Sequence, residues 1–180
     1  ARGEVVLFAD ADQSTPIEQF DRLNALVRNG YDVVVGSRAA DGAEVSNKSL
    51  GRKILSKGLN MVVTTGFGIT VSDTQCGFKL FTAEAARNLF STQVVDGFSF
   101  DLEVLYLAHK LGYRTAEAPV EWIDAPGSTV DPAKVSMQFM RDLVRIRAND
   151  FRGTYSRGLS SARAHATTAP LAHADRGSRS

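Results

Sequence analysis

The chain has 180 residues, 43% of them hydrophobic and 23% charged, with a formal net charge of +1. That composition suits one globular domain and excludes a collagen-like or low-complexity polymer, and the near-neutral charge gives no reason to expect a nucleic-acid partner. A single cysteine, Cys76, excludes an internal disulfide and points to a reducing compartment; no apolar run is long enough to span a bilayer, and no secretory leader is visible.

The charge is unevenly spread. Residues 152–180 hold five arginines and one acid, a net of about +4. Ser, Ala, Gly and Thr dominate there, and too few large apolar groups remain to offset the entropy of ordering. A domain is therefore expected over residues 1–150, with a disordered basic tail over 151–180.

Val5 to Phe8 is a continuous apolar run, which predicts a buried strand of a mostly parallel sheet. It leads into Asp10-Ala11-Asp12. Residues i and i+2 of a strand share a face, and ligands of open α/β sheets bind beyond the carboxyl ends of strands. Two carboxylates held side by side repel unless a cation lies between them. Oxygen-only ligands favour Mg²⁺ or Mn²⁺, and such ions usually share their shell with substrate phosphates. A strand-end turn with two solvated aspartates is the simpler alternative.

Thr15 and Glu18 have capping-box spacing, with Pro16 at a first-turn position. Ile17, Phe20, Leu23, Leu26 and Val27 keep helical spacing, and Gly30 stops the helix. Tyr31 to Val35 predicts a second strand ending at Gly36-Ser37-Arg38, and 38–47 a mobile loop. Leu50 to Val63 predicts a helix with Lys48, Arg52, Lys53 and Lys57 on its polar side. The end of Asp73 to Phe81 alternates like a strand, and Thr82 opens a helix. A further helix is predicted from Phe98 to Leu111, capped by Gly112, then a strand from Thr115 to Ile123. The last helix, Lys134 to Arg147, carries Val135, Phe139, Met140, Leu143 and Val144 on one face, with Arg141, Arg145 and Arg147 alongside. Strand–helix alternation of this kind argues for an α/β sheet.

Asp-x-Asp after an apolar strand has two enzymatic readings. One is metal-dependent glycosyl transfer, in which the cation neutralises a diphosphate leaving group. The other is an aspartyl-phosphate phosphatase, whose first aspartate attacks phosphorus; that chemistry calls for a second acidic cluster late in the chain, and neither Gly-Asp-x-x-x-Asp nor Asp-Asp occurs.

The order Asp10-Ala11-Asp12, Gly36-Ser37-Arg38, Asp73-Thr74-Gln75-Cys76-Gly77-Phe78-Lys79-Leu80-Phe81 and Phe98-Ser99-Phe100-Asp101-Leu102-Glu103 resembles the family 2 glycosyltransferases that load a sugar onto a polyprenyl phosphate. Within them, the dolichyl-phosphate β-glucosyltransferase subgroup is most similar, over roughly residues 3 to 148. The resemblance implies a GT-A type, Rossmann-like mixed sheet flanked by helices. It implies inverting, metal-dependent transfer of a hexose, glucose by this likeness, from a nucleotide sugar to polyprenyl or dolichyl phosphate. Asp10 and Asp12 would hold Mg²⁺ or Mn²⁺ and the donor diphosphate. Arg38, Arg52 and Lys79 would bind the acceptor phosphate, and Asp73 and Asp101 are the candidate catalytic carboxylates, with cap or turn roles as the alternative. Ser14 stands where a mannosyl relative has a glutamine near the metal.

A phosphate monoester is already anionic near neutral pH, so it needs little help from a base. Its difficulty is approaching an anionic donor, and guanidinium groups answer that by binding phosphate oxygens in pairs. A lipid acceptor implies peripheral membrane contact on the cytosolic face, for which the last helix and the arginine tail suit anionic lipid. The family carries a nucleotide-binding half-sheet before the Asp-x-Asp strand. Here Asp10 is close to the first residue, so the sequence is expected to lack those strands, to leave the Val5–Ala9 edge unpaired, and to bind donor poorly alone. An inactive fragment is thus a third reading.

Overall fold

The computed structural model describes residues 3–40, 44–45, 63–97, 99–123 and 132–156. Its strands are β1 (Val5–Ala9), β2 (Val33–Ser37), β3 (Glu44–Val45), β4 (Phe78–Thr82), β5 (Thr115–Pro119) and β6 (Glu121–Trp122). Its α-helices are α1 (Phe20–Arg28), α2 (63–67), α3 (Ala83–Thr92), α4 (Phe100–Leu111) and α5 (Pro132–Phe151), with a 3₁₀ turn at Ile17–Gln19. Four strands form one sheet in the order β1-β4-β2-β5, and β3 pairs with β6 in a second.

The sheet is mixed. β4 runs antiparallel to both β1 and β2, and β5 is parallel to β2. The mixed sheet implied by the resemblance is what is found, and the reading of Val5–Phe8 as a strand of a mostly parallel sheet is corrected. β1 is an edge strand among the described residues, which is why its residues are only half-buried while all of β2 is buried. One consequence decides where chemistry can sit. Strands β1, β2 and β5 point the same way, so their carboxyl ends gather at one end of the sheet, beside the start of β4.

Side-chain alternation divides the core in two. Val34, Phe78 and Leu80 face α1 through Leu23. Val33, Val35 and Phe81 face α3, α4 and α5 through Leu89, Leu102, Leu105, Phe139 and Ile146. Both faces of the sheet are covered, and β2 between them is wholly buried.

The helix starts separate what local sequence controls from what it does not. Thr82 caps α3, its side chain accepting from Ala85 N–H at 3.3 Å, as its position predicts. The Thr15–Glu18 capping box does not form. The chain enters through the 3₁₀ turn after Pro16, and neither that turn nor α1 has a side-chain cap bond. Asp12 instead accepts from Ser14 N–H at 3.0 Å, an Asx-type turn that competes with helix entry. Gly112 takes φ 75° at the end of α4, the left-handed cap that glycine favours. The strand expected over Thr115–Ile123 divides at Val120, its last part pairing with β3. Of the helix expected over Leu50–Val63, only Val63 is among the described residues, and the tail beyond 156 lies outside them.

Helix α5 corrects the expected apolar face. Phe139, Leu143 and Ile146 are buried, whereas Met137, Met140, Val144 and Phe151 stand exposed on an opposite stripe beside exposed Arg141 and Arg145. The helix is therefore apolar on two sides. Its inner side is fastened to α4 by polar contacts. Tyr106 donates to Asp150 at 2.6 Å and Lys110 pairs with the same carboxylate. Buried Glu103 accepts from Val94 and Val95 N–H at 3.0 and 2.7 Å and from Tyr155 O–H at 2.6 Å.

Burial alone would raise the Asp150 pKa, but the Lys110 and Tyr106 bonds outweigh it and hold it below the ordinary 3.8. A carboxylate with a lowered folded pKa stabilises the fold above its unfolded pKa, and that contribution is lost as pH falls through the folded value. Asp150→Asn is thus expected to lower the melting temperature at neutral pH. The gap to wild type should close below about pH 3.8, as pH-dependent thermal melts would show.

Candidate active site

A cavity of about 240 Å³ opens at the shared carboxyl ends of the strands, lined by Asp10, Asp12, Arg38, Gln75, Phe100, Asp101 and Trp122 among others. Each arrives on its own element. Asp10 and Asp12 follow β1, Arg38 follows β2, Trp122 lies on β6, Gln75 precedes β4, and Phe100 and Asp101 open α4. Four residues singled out from sequence, Asp10, Asp12, Arg38 and Asp101, therefore line one space.

Arg38 is the most constrained of them. Its Nε and Nη2 donate to the two oxygens of Asp73 at 2.7 and 2.8 Å, and its backbone N–H donates to the same carboxylate at 3.0 Å. Its guanidinium also lies over the Trp122 ring, 5.3 Å from the centroid. Burial would lower its pKa, but the Asp73 bond and charge hold it above the usual value, so it is always cationic. Asp73 is held in turn. Its N–H and the N–H and hydroxyl of Ser72 all donate to Glu117 on β5, at 3.1, 2.7 and 3.0 Å.

This assigns Asp73 a different part from the one sequence suggests. Both of its oxygens accept from an arginine, and a carboxylate so engaged is a poor base; its geometry is that of a positioning residue for Arg38. Lys79 is also corrected. Alternation along β4 turns it to the α4 side, where it is 1% exposed and donates to Asp101 Oδ1 at 2.9 Å and to Cys76 C=O at 2.6 Å. It does not line the cavity. What it does is neutralise Asp101, whose pKa burial raises against the opposing pull of Lys79, with the charges of Asp10 and Asp73 adding to the rise. Burial likewise pushes the Cys76 thiol up to about 11, so it is a neutral core group. Arg52 lies outside the described residues.

The residues present fit a divalent ion in one way. Asp10 and Asp12 are both exposed and offer only oxygen. Among the described residues, no group of three or more His, Cys, Asp or Glu could hold a metal. Two carboxylates do not complete a shell for Mg²⁺ or Mn²⁺, but they suit an ion that takes its remaining ligands from substrate phosphate and water.

Sequence reasoning missed Trp122 and Glu117. An aromatic at the end of a strand is a usable signal for the first, because strand ends meet the cavity. Nothing local marks Glu117, whose partners are 44 and 45 residues away.

Removing one member of a buried ion pair strands the other, at a cost of about 3–5 kcal/mol. Lys79→Met is expected to lose stability on that scale in urea unfolding, and Lys79→Met with Asp101→Asn to lose clearly less.

No family model matches the chain. Curated relatives do. A dolichyl-phosphate β-glucosyltransferase of Dictyostelium discoideum is 40% identical over 153 residues, which are 82% of this chain and 47% of the relative. Proteins of the same name from Homo sapiens and Saccharomyces cerevisiae are 34% and 33% identical over 162 and 168 residues, 86% of this chain and 50% of each relative. The similarity expected from the motifs is borne out, and the chain spans about half the length of the curated relatives it matches.

Proposed function

We propose that this chain acts as a dolichyl-phosphate β-glucosyltransferase, a GT-A type member of glycosyltransferase family 2. It would transfer glucose from a nucleotide sugar to dolichyl phosphate with inversion. The observation that carries this reading is that Asp10 and Asp12 share one cavity with Arg38. An acidic pair suits a cation and a diphosphate, and an arginine suits a second phosphate. The relatives' printed names supply one of these two phosphate groups, the dolichyl-phosphate acceptor, together with the glucosyl group. The phosphatase alternative gains nothing from them.

The residues divide the work by charge. Arg38, fixed by Asp73 and Trp122, holds the acceptor phosphate where one of its oxygens faces the anomeric carbon. Asp10 and Asp12 would hold Mg²⁺ or Mn²⁺, which when bound offsets the charge of the departing nucleotide diphosphate. The acceptor oxygen forms its bond to the anomeric carbon as the diphosphate leaves from the opposite face, which inverts the configuration. The acceptor is already anionic, so no proton need be removed, and positioning and charge neutralisation carry most of the rate. Asp101 lines the same cavity, with its carboxylate held by Lys79.

The lipid acceptor asks for a membrane surface. The outer stripe of α5, Met137, Met140, Val144 and Phe151 beside Arg141 and Arg145, has the make-up of an interfacial helix on anionic lipid, giving peripheral contact. No helix among the described residues is long and apolar enough to cross a bilayer.

The test is transfer of labelled glucose from UDP-glucose to a polyprenyl phosphate, with and without Mg²⁺, by this chain and by a version extended to the length of its relatives. Asp10→Asn and Asp12→Asn are each expected to lower turnover by about 100-fold or more, the scale of losing a charge-stabilising group. Arg38→Lys should raise the acceptor KM by about tenfold through loss of the paired contact. Phosphate release without glucosyl transfer would contradict the reading.

A further inference from the structure

Asp10 N–H donates to the Gly77 carbonyl at 2.8 Å, which carries the β1–β4 ladder one step past the Ala9–Phe78 pair. The two residues are cross-strand neighbours, and the Asp10 carboxyl group lies over the position that a side chain at 77 would occupy. A Cβ built on Gly77 would overlap all three atoms of that carboxyl group. The backbone gives no other reason for glycine. Gly77 is not among the residues with positive φ, so alanine could take its conformation without strain. Asp10 lines the cavity together with Gly77, Arg38 and Asp101.

We propose that Gly77 is a positioning residue for Asp10: its missing side chain leaves the slot in which this carboxylate lies, and so fixes the side of the cavity from which a cation and its diphosphate are held. The proposal rests on the reading that Asp10 and Asp12 bind the ion. Any side chain at 77 pushes the Asp10 carboxylate out of the slot while the strand pairing stays possible. Asp12, two residues on, is tied to its own turn, one of its oxygens accepting from Ser14 N–H.

Four chains test it: wild type, Gly77→Ala, Asp10→Ala and the double variant. Each is melted thermally and titrated with Mn²⁺ alone by electron paramagnetic resonance. Gly77→Ala is expected to lower the melting temperature in the wild-type background and leave it unchanged in the Asp10→Ala background. Its Mn²⁺ affinity should fall by about 10- to 100-fold, the range for groups that orient a metal's ligands. Should Gly77→Ala fail to fold, a folded double variant supports the same conclusion and an unfolded one overturns it. An equal melting loss in both backgrounds would mean a backbone role and overturns the proposal, as does unchanged Mn²⁺ affinity in Gly77→Ala. Equal Mn²⁺ binding by wild type and Asp10→Ala overturns the ion-binding reading itself, and this inference with it.

Discussion

The bidentate pair between Arg38 and Asp73 is the contact on which the site depends. Parallel β1 and β2 bring an acidic pair and an arginine to one end of the sheet, but a long side chain at a strand end has many directions open to it. Three hydrogen bonds from Arg38 to one carboxylate, and the Trp122 ring on its face, leave it one direction. Glu117 extends the constraint to β5 by holding the backbone of Ser72 and Asp73. The cation in the cavity is thus fixed by three separate strands, and the entropy of ordering it is met during folding rather than on binding.

The second buried charge pair serves a different end. Lys79 sits in the middle of an otherwise apolar strand, facing a helix layer. Its partner Asp101 opens α4, so the pair ties the sheet to the helix that forms one wall of the cavity. Replacing both by apolar groups of similar volume is expected to preserve the fold, since buried ion pairs contribute little net stability. What it would remove is the charge on Asp101, next to Asp10. The pair is therefore better understood as electrostatic than as structural.

Much of this could be read from the residues. The strand before Asp10, the Thr82 cap, the Gly112 stop and the motif blocks all depend on near neighbours, and near neighbours are what a sequence displays. The rest depended on contacts across the fold. Lys79 reads as a free cation until strand alternation is combined with knowledge of which helix covers that face. Asp73 reads as a base until Arg38, 35 residues away, is seen to occupy both oxygens. On α5, Phe139 and Leu143 had the inner face right, but Met140 and Val144 belong to a second stripe, because a helix that is apolar on two sides has no single amphipathic reading. The Thr15–Glu18 spacing failed for a local reason, since the chain enters a 3₁₀ turn whose cap position is Pro16 rather than Thr15.

The central claim is that a cation held by Asp10 and Asp12 lies in the same cavity as Arg38 and its ring. Trp122 is the chain's single tryptophan, so its indole N–H gives one resolved resonance. In a Mn²⁺ titration followed by NMR, that resonance should broaden earlier than the amides of Lys110 and Leu111 at the far end of α4, and the effect should vanish in Asp10→Asn with Asp12→Asn. A Trp122 signal that stays sharp while others broaden, or broadening that survives both substitutions, would contradict the account.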